Sequence, residues 1–250
     1  MNVLLLLSII LFILMASIGG KKGVRSFIAL FLNFVIVIST VLVMNDPDAN
    51  PIILTLVACS LISAISLFYI NKVNSKTVLA FLATIVTTLL LLSFIFLLTN
   101  QAMIHGFGEE ESDSLTIYSV YIGLDFLKIA ISVIIMSTIG AIVDAAISIT
   151  SPMREIFDQH PKISRQELFR SGMTIGRDIL NTSSNTLFFA FFGGYIGLLI
   201  WFKDLDYSFG EVLNAKVFAN ELITIFIAGM GVIIVIPIAA WMTANYLVKK

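Results

Sequence analysis

Long apolar stretches dominate the chain and are separated by short polar connections. A bilayer core of about 30 Å is crossed by roughly 20 apolar residues in a helix. Seven stretches meet this length, so the sequence predicts an all-α membrane protein with about seven transmembrane helices. The predicted spans, numbered 1 to 7 in chain order, cover residues 2–20, 24–44, 52–71, 77–98, 120–150, 179–202 and 222–247.

Positive charges fall on alternate connections between these spans. Lys and Arg are retained on the cytoplasmic side of a membrane. The connections after spans 2, 4 and 6 contain only Lys203 and Lys216. The pattern predicts an N-terminus outside and a C-terminus in the cytoplasm. The residues that carry it are Lys21, Lys22, Arg25, Lys72, Lys76, Arg154, Lys162, Arg165, Arg170, Arg177, Lys249 and Lys250.

Composition supports a membrane location and argues against nucleic-acid binding. Of the 250 residues, 58% are hydrophobic and 12% are charged, and the mean hydropathy is +1.02. This apolar content exceeds that of water-soluble domains, and a net charge of −1 offers no basic surface to neutralise phosphates. The longest hydrophilic connection is too short for a core of its own. We therefore expect a single polytopic membrane domain over residues 1–250.

The connection between spans 5 and 6 contains two helix-start patterns. Ser151 followed by Pro152 is typical of an N-cap and first helical position, and Ser164 with Glu167 matches a capping box. The sequence predicts short cytoplasmic interfacial helices over residues 152–159 and 165–172. An ordinary interfacial connector explains them, and a gate or docking surface also fits.

Polar and small residues follow one face of span 5. At 100° per residue, Ser137, Gly140, Asp144 and Ser148 lie within a narrow sector, and Ser151 extends it. A charged residue deep in the bilayer costs about 2.5–3.5 kcal/mol on insertion scales, which suggests a role. We expect Asp144 to face protein or a water-filled cavity.

A second polar face begins before span 6 and continues into it. Because spans 5 and 6 run in opposite directions, Asp144 and Asp178 are expected at similar depth. The two faces fit an oxygen-rich site for a cation or a relayed proton. They also fit a structural pairing of Asp144 with Arg177 or with the amides of span 6. The residues of the second face are Thr174, Asp178, Asn181, Thr182 and Asn185, with Arg177 about a quarter turn away.

Three other polar features predict local structure. Asn33, near the middle of span 2, is typical of an interhelical hydrogen bond. Asp125 and Lys128 are three residues apart and predict a local ion pair. Glu221 directly precedes span 7 and is expected to cap its outer end.

Three sequence blocks resemble the YibE/F family of bacterial multipass membrane proteins. They are "GAIVDAAISITSPMREI", "GMTIGRDILNTSSNTLFFAFFGG" and "NAKVFANELITIFIAGMGVIIVIPIAA". The resemblance is strong over residues 139–247, within a family-like core of about residues 120–250. It departs at "NTSSNTL", where the family usually shows a Gly-Thr-Met type step. The positions that match the family pattern are Asp144, Ser148, Ser151, Glu155, Gly176, Arg177, Asp178, Asn185, Thr186, Glu221 and Pro237.

The resemblance implies a multipass protein of the bacterial cytoplasmic (plasma) membrane. It is also compatible with a partner, a longer homologous membrane protein of the YibE/F type. Apart from the resemblance, a homo-oligomer is the other assembly expected. It does not supply an activity.

Together these patterns favour a permease for an unidentified solute, with a polar carboxylate site between spans 5 and 6. The alternative is a non-transporting membrane subunit that assembles with a homologous membrane partner. No enzyme activity is expected, because His105 and His160 lie in connections and the Gly-x-Gly-Asp step of intramembrane aspartyl proteases is missing. No cofactor or metal site is predicted. The expected site residues are Asp144, Ser148, Arg177, Asp178, Asn181 and Asn185, with Ser151, Glu155 and Glu221 as secondary candidates.

Overall fold

The computed structural model describes residues 3–104, 106 and 125–249. Helices form nearly all of this part of the chain, and no strand occurs in it. A π-helical segment, Ile65–Tyr69, continues the second helix. In chain order the α-helices are α1 (Val3–Met44), α2 (Pro51–Ala64), α3 (Ser75–Ala102), α4 (Phe126–Gln159), α5 (Arg165–Asp204), α6 (Phe209–Asn214) and α7 (Lys216–Val248).

Six helices among the described residues are long and apolar enough to cross a membrane. They are α1, α2 with its π-helical continuation, α3, α4, α5 and α7. Predicted spans 3 to 7 each correspond to one of these helices, whereas spans 1 and 2 both fall within α1. Residue 2, His105 and the first residues of span 5, 120–124, lie outside the described part of the chain.

Helix α1 is a hairpin rather than a straight rod. Gly20 has φ 53° and ψ −135°, a left-handed conformation that favours glycine. Beyond this residue the chain turns back, so that Gly23 lies against the carbonyl oxygen of Met15. The ring centroids of Phe12 and Phe27 are 5.0 Å apart. Spans 1 and 2 are therefore antiparallel halves of α1.

The α1 hairpin packs against α2 and its π-helical continuation. The Nδ2 atom of Asn33 donates a hydrogen bond to Oγ of Ser66 over 3.3 Å. The predicted interhelical hydrogen bond of Asn33 is therefore confirmed.

Helix α4 lies at the centre of the bundle and packs against α2, α3, α5 and α7. Leu91 of α3 and Ile142 of α4 are buried, and both lie within 3.1 Å of where a side chain at Gly231 of α7 would begin. The missing side chain allows three helices to meet closely, as small residues do in membrane bundles. At one end of this core, Nζ of Lys76 donates to Oγ of Ser151 over 3.1 Å.

Helix α5 joins the bundle through two glycines on one face. Gly172 lies against Met153 of α4 and Ala240 of α7, and Gly176 lies against Ile236 of α7. A side chain at either position would overlap these neighbours, so the small-residue spacing sets how closely α5 approaches.

The connection between α4 and α5 is shorter than predicted. Residues 152–159 and 165–172 are not separate interfacial helices, because they continue α4 and α5. Ser151 is not an N-cap, since Pro152 lies inside α4. The packing of fully buried Met153 on α5 stabilises the continuous helix at this point. The capping box of Ser164 and Glu167 is confirmed, and it begins α5.

The start of α7 also differs from the prediction. This helix begins at Lys216, and Ala215 is its N-cap without a side-chain hydrogen bond. Glu221 therefore lies inside the helix and does not cap it.

The ion pair of Asp125 and Lys128 at the start of α4 is confirmed, with a distance of 3.1 Å between Oδ2 and Nζ.

Candidate intramembrane polar site

Among the described residues, the predicted polar face of α4 is the side of this helix that its neighbours leave open. Ser137, Gly140, Asp144 and Ser148 are all exposed in the single chain. The residues between them, including Ile142 and Ala146, are buried against the bundle. The carboxylate of Asp144 thus lies in a strip of small residues on a helix that is otherwise enclosed.

Asp144 has no polar partner within the described part of the chain. Its side chain makes no hydrogen bond or ion pair there, and neither does that of Arg177. The structural pairing of Asp144 with Arg177 or with the amides of span 6 is therefore absent from the single chain. An acid on a membrane helix without a partner is costly when it faces lipid, so its surroundings must include water or another protein.

The polar face of α5 is also open. It lies on the side opposite Gly176, because Asp178 follows that residue by two positions and hence by about 200°. Gly176 contacts α7, so the polar face of α5 points away from that helix. The exposed residues of this face are Thr174, Arg177, Asp178, Asn181, Thr182 and Asn185.

One contact between α4 and α5 relates the levels of the two faces. Met153 of α4 lies against Gly172 of α5, and from this contact the two helices run antiparallel. Asp144 is nine residues before Met153, and Asn181 is nine residues after Gly172. For straight antiparallel axes this count puts Asp144 at the level of Asn181, and the level of Asp178 differs by about 4.5 Å. No hydrogen bond or ion pair joins Asp144 to Asp178 within the described residues.

Each secondary candidate has a polar neighbour in the described chain. Ser151 accepts the hydrogen bond from Lys76. Glu155 accepts a hydrogen bond from Nε2 of Gln159 over 3.4 Å within α4. Glu221 lies near the hydroxyl of Tyr195 on α5, and both residues line the same cavity. These residues are accordingly distinct from the open strip around Asp144.

A cavity of about 430 Å³ lies between the start of α4, the second half of α5 and the start of α7. Val133 lines it and belongs to the same open side of α4 as Ser137 and Asp144. Tyr195 and Asn220 also line it, and neither was expected from the sequence. The sequence does mark both positions, since the hydroxyl of Tyr195 and the amide of Asn220 occur in otherwise apolar stretches. No group of three His, Cys, Asp or Glu side chains suited to a metal ion occurs in the described ranges.

A family model that describes YibE/F-like proteins matches residues 7–249, which is nearly the whole chain. No curated protein and no solved structure matches the chain.

Proposed function

Because the chain belongs to the YibE/F-like family and has helices suited to crossing a membrane, we propose that it is a permease in the plasma membrane of bacteria. Its transport site is the open polar face of α4, with Asp144 as the residue that binds or relays a cation. The α5 face that carries Asp178, Asn181 and Asn185 does not meet this site within the described chain, because Gly172 and Gly176 turn the opposite side of α5 toward the bundle. Catalysis is not part of this function.

One observation carries the proposal. Asp144 has no partner in the described chain and lies among Ser137, Gly140 and Ser148, on the only open side of a central helix. A structural acid would be neutralised by a basic side chain or would accept hydrogen bonds from amides. A transported cation or a proton requires the opposite, a carboxylate whose oxygens are available.

The proposed topology has seven spans. Each half of the α1 hairpin is an apolar helix, and the reversal at Gly20 allows both halves to cross the bilayer. The charges of the connections then put the N-terminus outside and the C-terminus in the cytoplasm. In this orientation the turn between α4 and α5 is cytoplasmic, and Asp144 lies in the cytoplasmic half of the membrane.

The test is ion flux in proteoliposomes. The purified chain is reconstituted with a trapped pH-sensitive dye, and proton movement is followed after separate pulses of acid, Na⁺ and K⁺. We expect Asp144→Asn to abolish the flux while the protein keeps its elution profile in detergent. Asp48→Asn is the matched control, because Asp48 is an exposed carboxylate outside the spanning helices. Wild-type flux in Asp144→Asn would refute the proposal.

A non-transporting subunit is the second candidate, and the open face of α5 favours it. Arg177, Asp178 and Asn181 on one exposed face are suited to contact another membrane protein. In that case the wild-type chain alone produces no flux in the same liposomes, and a homologous membrane partner is recovered with it from the native membrane.

A further inference from the structure

Polar groups from two helices converge on one wall of the cavity of about 430 Å³. The hydroxyl of Tyr195 belongs to α5, and the first two turns of α7 supply Lys216, Asn220 and Glu221. The Oδ1 atom of Asn220 is buried and accepts no hydrogen bond from the described residues. Because a buried carbonyl oxygen without a donor is costly, this wall is suited to receive a donor from a bound molecule.

The charged groups beside this wall have opposite signs. Glu221 supplies a carboxylate, and Lys216 supplies an ammonium group five positions earlier, which corresponds to about 7.5 Å along the axis of α7. The N-cap of α7, Ala215, makes no side-chain hydrogen bond to the first turn, so the leading N–H groups of this helix favour an anion. The cavity thus offers a positive end at the start of α7 and a negative group further along it.

The opposite wall is apolar and belongs to α4, where Ile129, Ala130 and Val133 line the cavity. The volume of about 430 Å³ lies within the range of about 300–1,000 Å³ that is usual for small-molecule sites. A bare metal ion would leave most of this space empty. The walls therefore fit an organic molecule with an apolar part and with charged groups on one side.

We propose that this cavity binds a small zwitterion with an apolar side chain, of the class of the apolar amino acids. The ammonium group of the ligand lies beside the carboxylate of Glu221 and donates to Oδ1 of Asn220. Its carboxylate lies at the start of α7 beside the positive charge of Lys216, and its side chain packs against α4. A simple cation would be repelled by Lys216 and a simple anion by Glu221, whereas a zwitterion complements both charges.

This site is separate from the carboxylate of Asp144. Val133 is eleven residues before Asp144 on α4, which places the cavity about 16 Å away along the helix and nearer the outer end in the proposed orientation. Both residues belong to the open side of α4, so the cavity lies at the outer end of the strip that leads to Asp144. The inference rests on the proposed function in naming a substrate class for the permease, but the binding itself does not require flux.

The test is ligand-dependent thermal stabilisation of the purified full chain in detergent micelles. A ligand that binds only the folded protein raises Tm with a saturable dependence on its concentration. We expect L-leucine and L-phenylalanine to raise Tm in this way. Isocaproate lacks the ammonium group and isoamylamine lacks the carboxylate, so neither should shift Tm. No shift with either amino acid, or an equal shift with either analogue, overturns the proposal.

Two variants place the binding in this cavity. Glu221→Gln keeps the shape of the side chain but removes its charge, and should abolish the L-leucine shift. Asp204→Asn is the matched control and should keep the shift, because Asp204 is an exposed carboxylate at the same end of the bundle and does not line the cavity. Val133→Phe narrows the cavity without changing a charge and should also abolish the shift, which keeps the test valid if Glu221→Gln does not fold.

A normal L-leucine shift in Glu221→Gln or in Val133→Phe overturns the proposal, as does loss of the shift in Asp204→Asn. L-leucine binding by a chain that shows no ion flux would contradict the permease alone. Ion flux in a chain that binds neither amino acid would contradict the zwitterion site alone.

Discussion

The rings of Phe12 and Phe27 lie with their centroids 5.0 Å apart and their planes at 61° to each other. In a straight helix a separation of fifteen residues corresponds to about 22 Å. The two rings meet because α1 reverses at Gly20, whose backbone is not helical, so α1 consists of two antiparallel segments.

The hairpin depends on the absence of a side chain at Gly23. We expect Gly23→Leu to open it, because an added side chain would overlap the carbonyl group of Met15. The measurement is disulfide formation between Phe12→Cys and Phe27→Cys in the Cys59→Ala background. Gly19→Leu is the control, since no atom lies within 4 Å of a side chain at Gly19. Equal disulfide yields in the Gly23 and Gly19 variants would refute the hairpin.

The contact of α5 with α7 requires glycine at position 176. We expect Gly176→Ala to destabilise the protein by about 1–3 kcal/mol, because the new methyl group overlaps Ile236. Gly193→Ala adds the same methyl group at a position where no other atom lies within 4 Å of it. This control should be neutral or stabilising by about 0.5–1 kcal/mol. Thermal unfolding in detergent micelles measures both. A Gly176→Ala variant as stable as Gly193→Ala would show that α5 packs differently.

The first turn of α5 is fixed by its capping box. The backbone N–H of Glu167 donates to Oγ of Ser164 over 3.2 Å, and the N–H of Ser164 donates to Oε2 of Glu167 over 3.0 Å. We expect Ser164→Ala to cost about 0.5–2 kcal/mol locally and to speed amide hydrogen exchange at residues 165–168. Ser171→Ala is the control, because the Ser171 hydroxyl bonds only within the helix. Unchanged exchange in Ser164→Ala would argue against the cap.

The proposed orientation predicts which connections a membrane-impermeant thiol reagent reaches in intact cells. In the Cys59→Ala background, Asp48→Cys should be labelled directly, because the proposed orientation puts the connection before α2 outside. His160→Cys should be labelled only after the cells are opened. The opposite pattern would reverse the topology, and labelling of both positions in intact cells would rule out the proposed arrangement of spans.

Much of the fold could be predicted from the sequence because membrane helices depend on local apolar length. The capping box of Ser164 with Glu167 and the ion pair of Asp125 with Lys128 could also be predicted, because in each pair the two residues are three positions apart. The continuation of α4 through Pro152 could not be predicted in this way, since it involves the packing of Met153 on Gly172. The reversal at Gly20 likewise depends on contacts between the two halves of α1.

Part of the candidate site's geometry follows from the sequence. Helical periodicity puts Ser137, Gly140, Asp144 and Ser148 on one face of α4, and the structure leaves that face exposed. The direction in which the polar face of α5 points could not be predicted from the sequence, because Gly172 and Gly176 determine which side of α5 meets the bundle. Tyr195 and Glu221 are far apart in sequence, so their shared position beside one cavity required the tertiary structure.

The central claim is that Asp144 borders a water-filled pathway, and thiol labelling at this position tests it most directly. In the Cys59→Ala background, Asp144→Cys is exposed to a membrane-impermeant maleimide in inside-out vesicles, beside Ile233→Cys as the apolar control and His160→Cys as the water-exposed reference. A thiol reacts as the thiolate, which lipid does not support. The account predicts labelling at position 144 comparable to that at position 160 and none at position 233. A thiol at position 144 as unreactive as that at position 233 would contradict it.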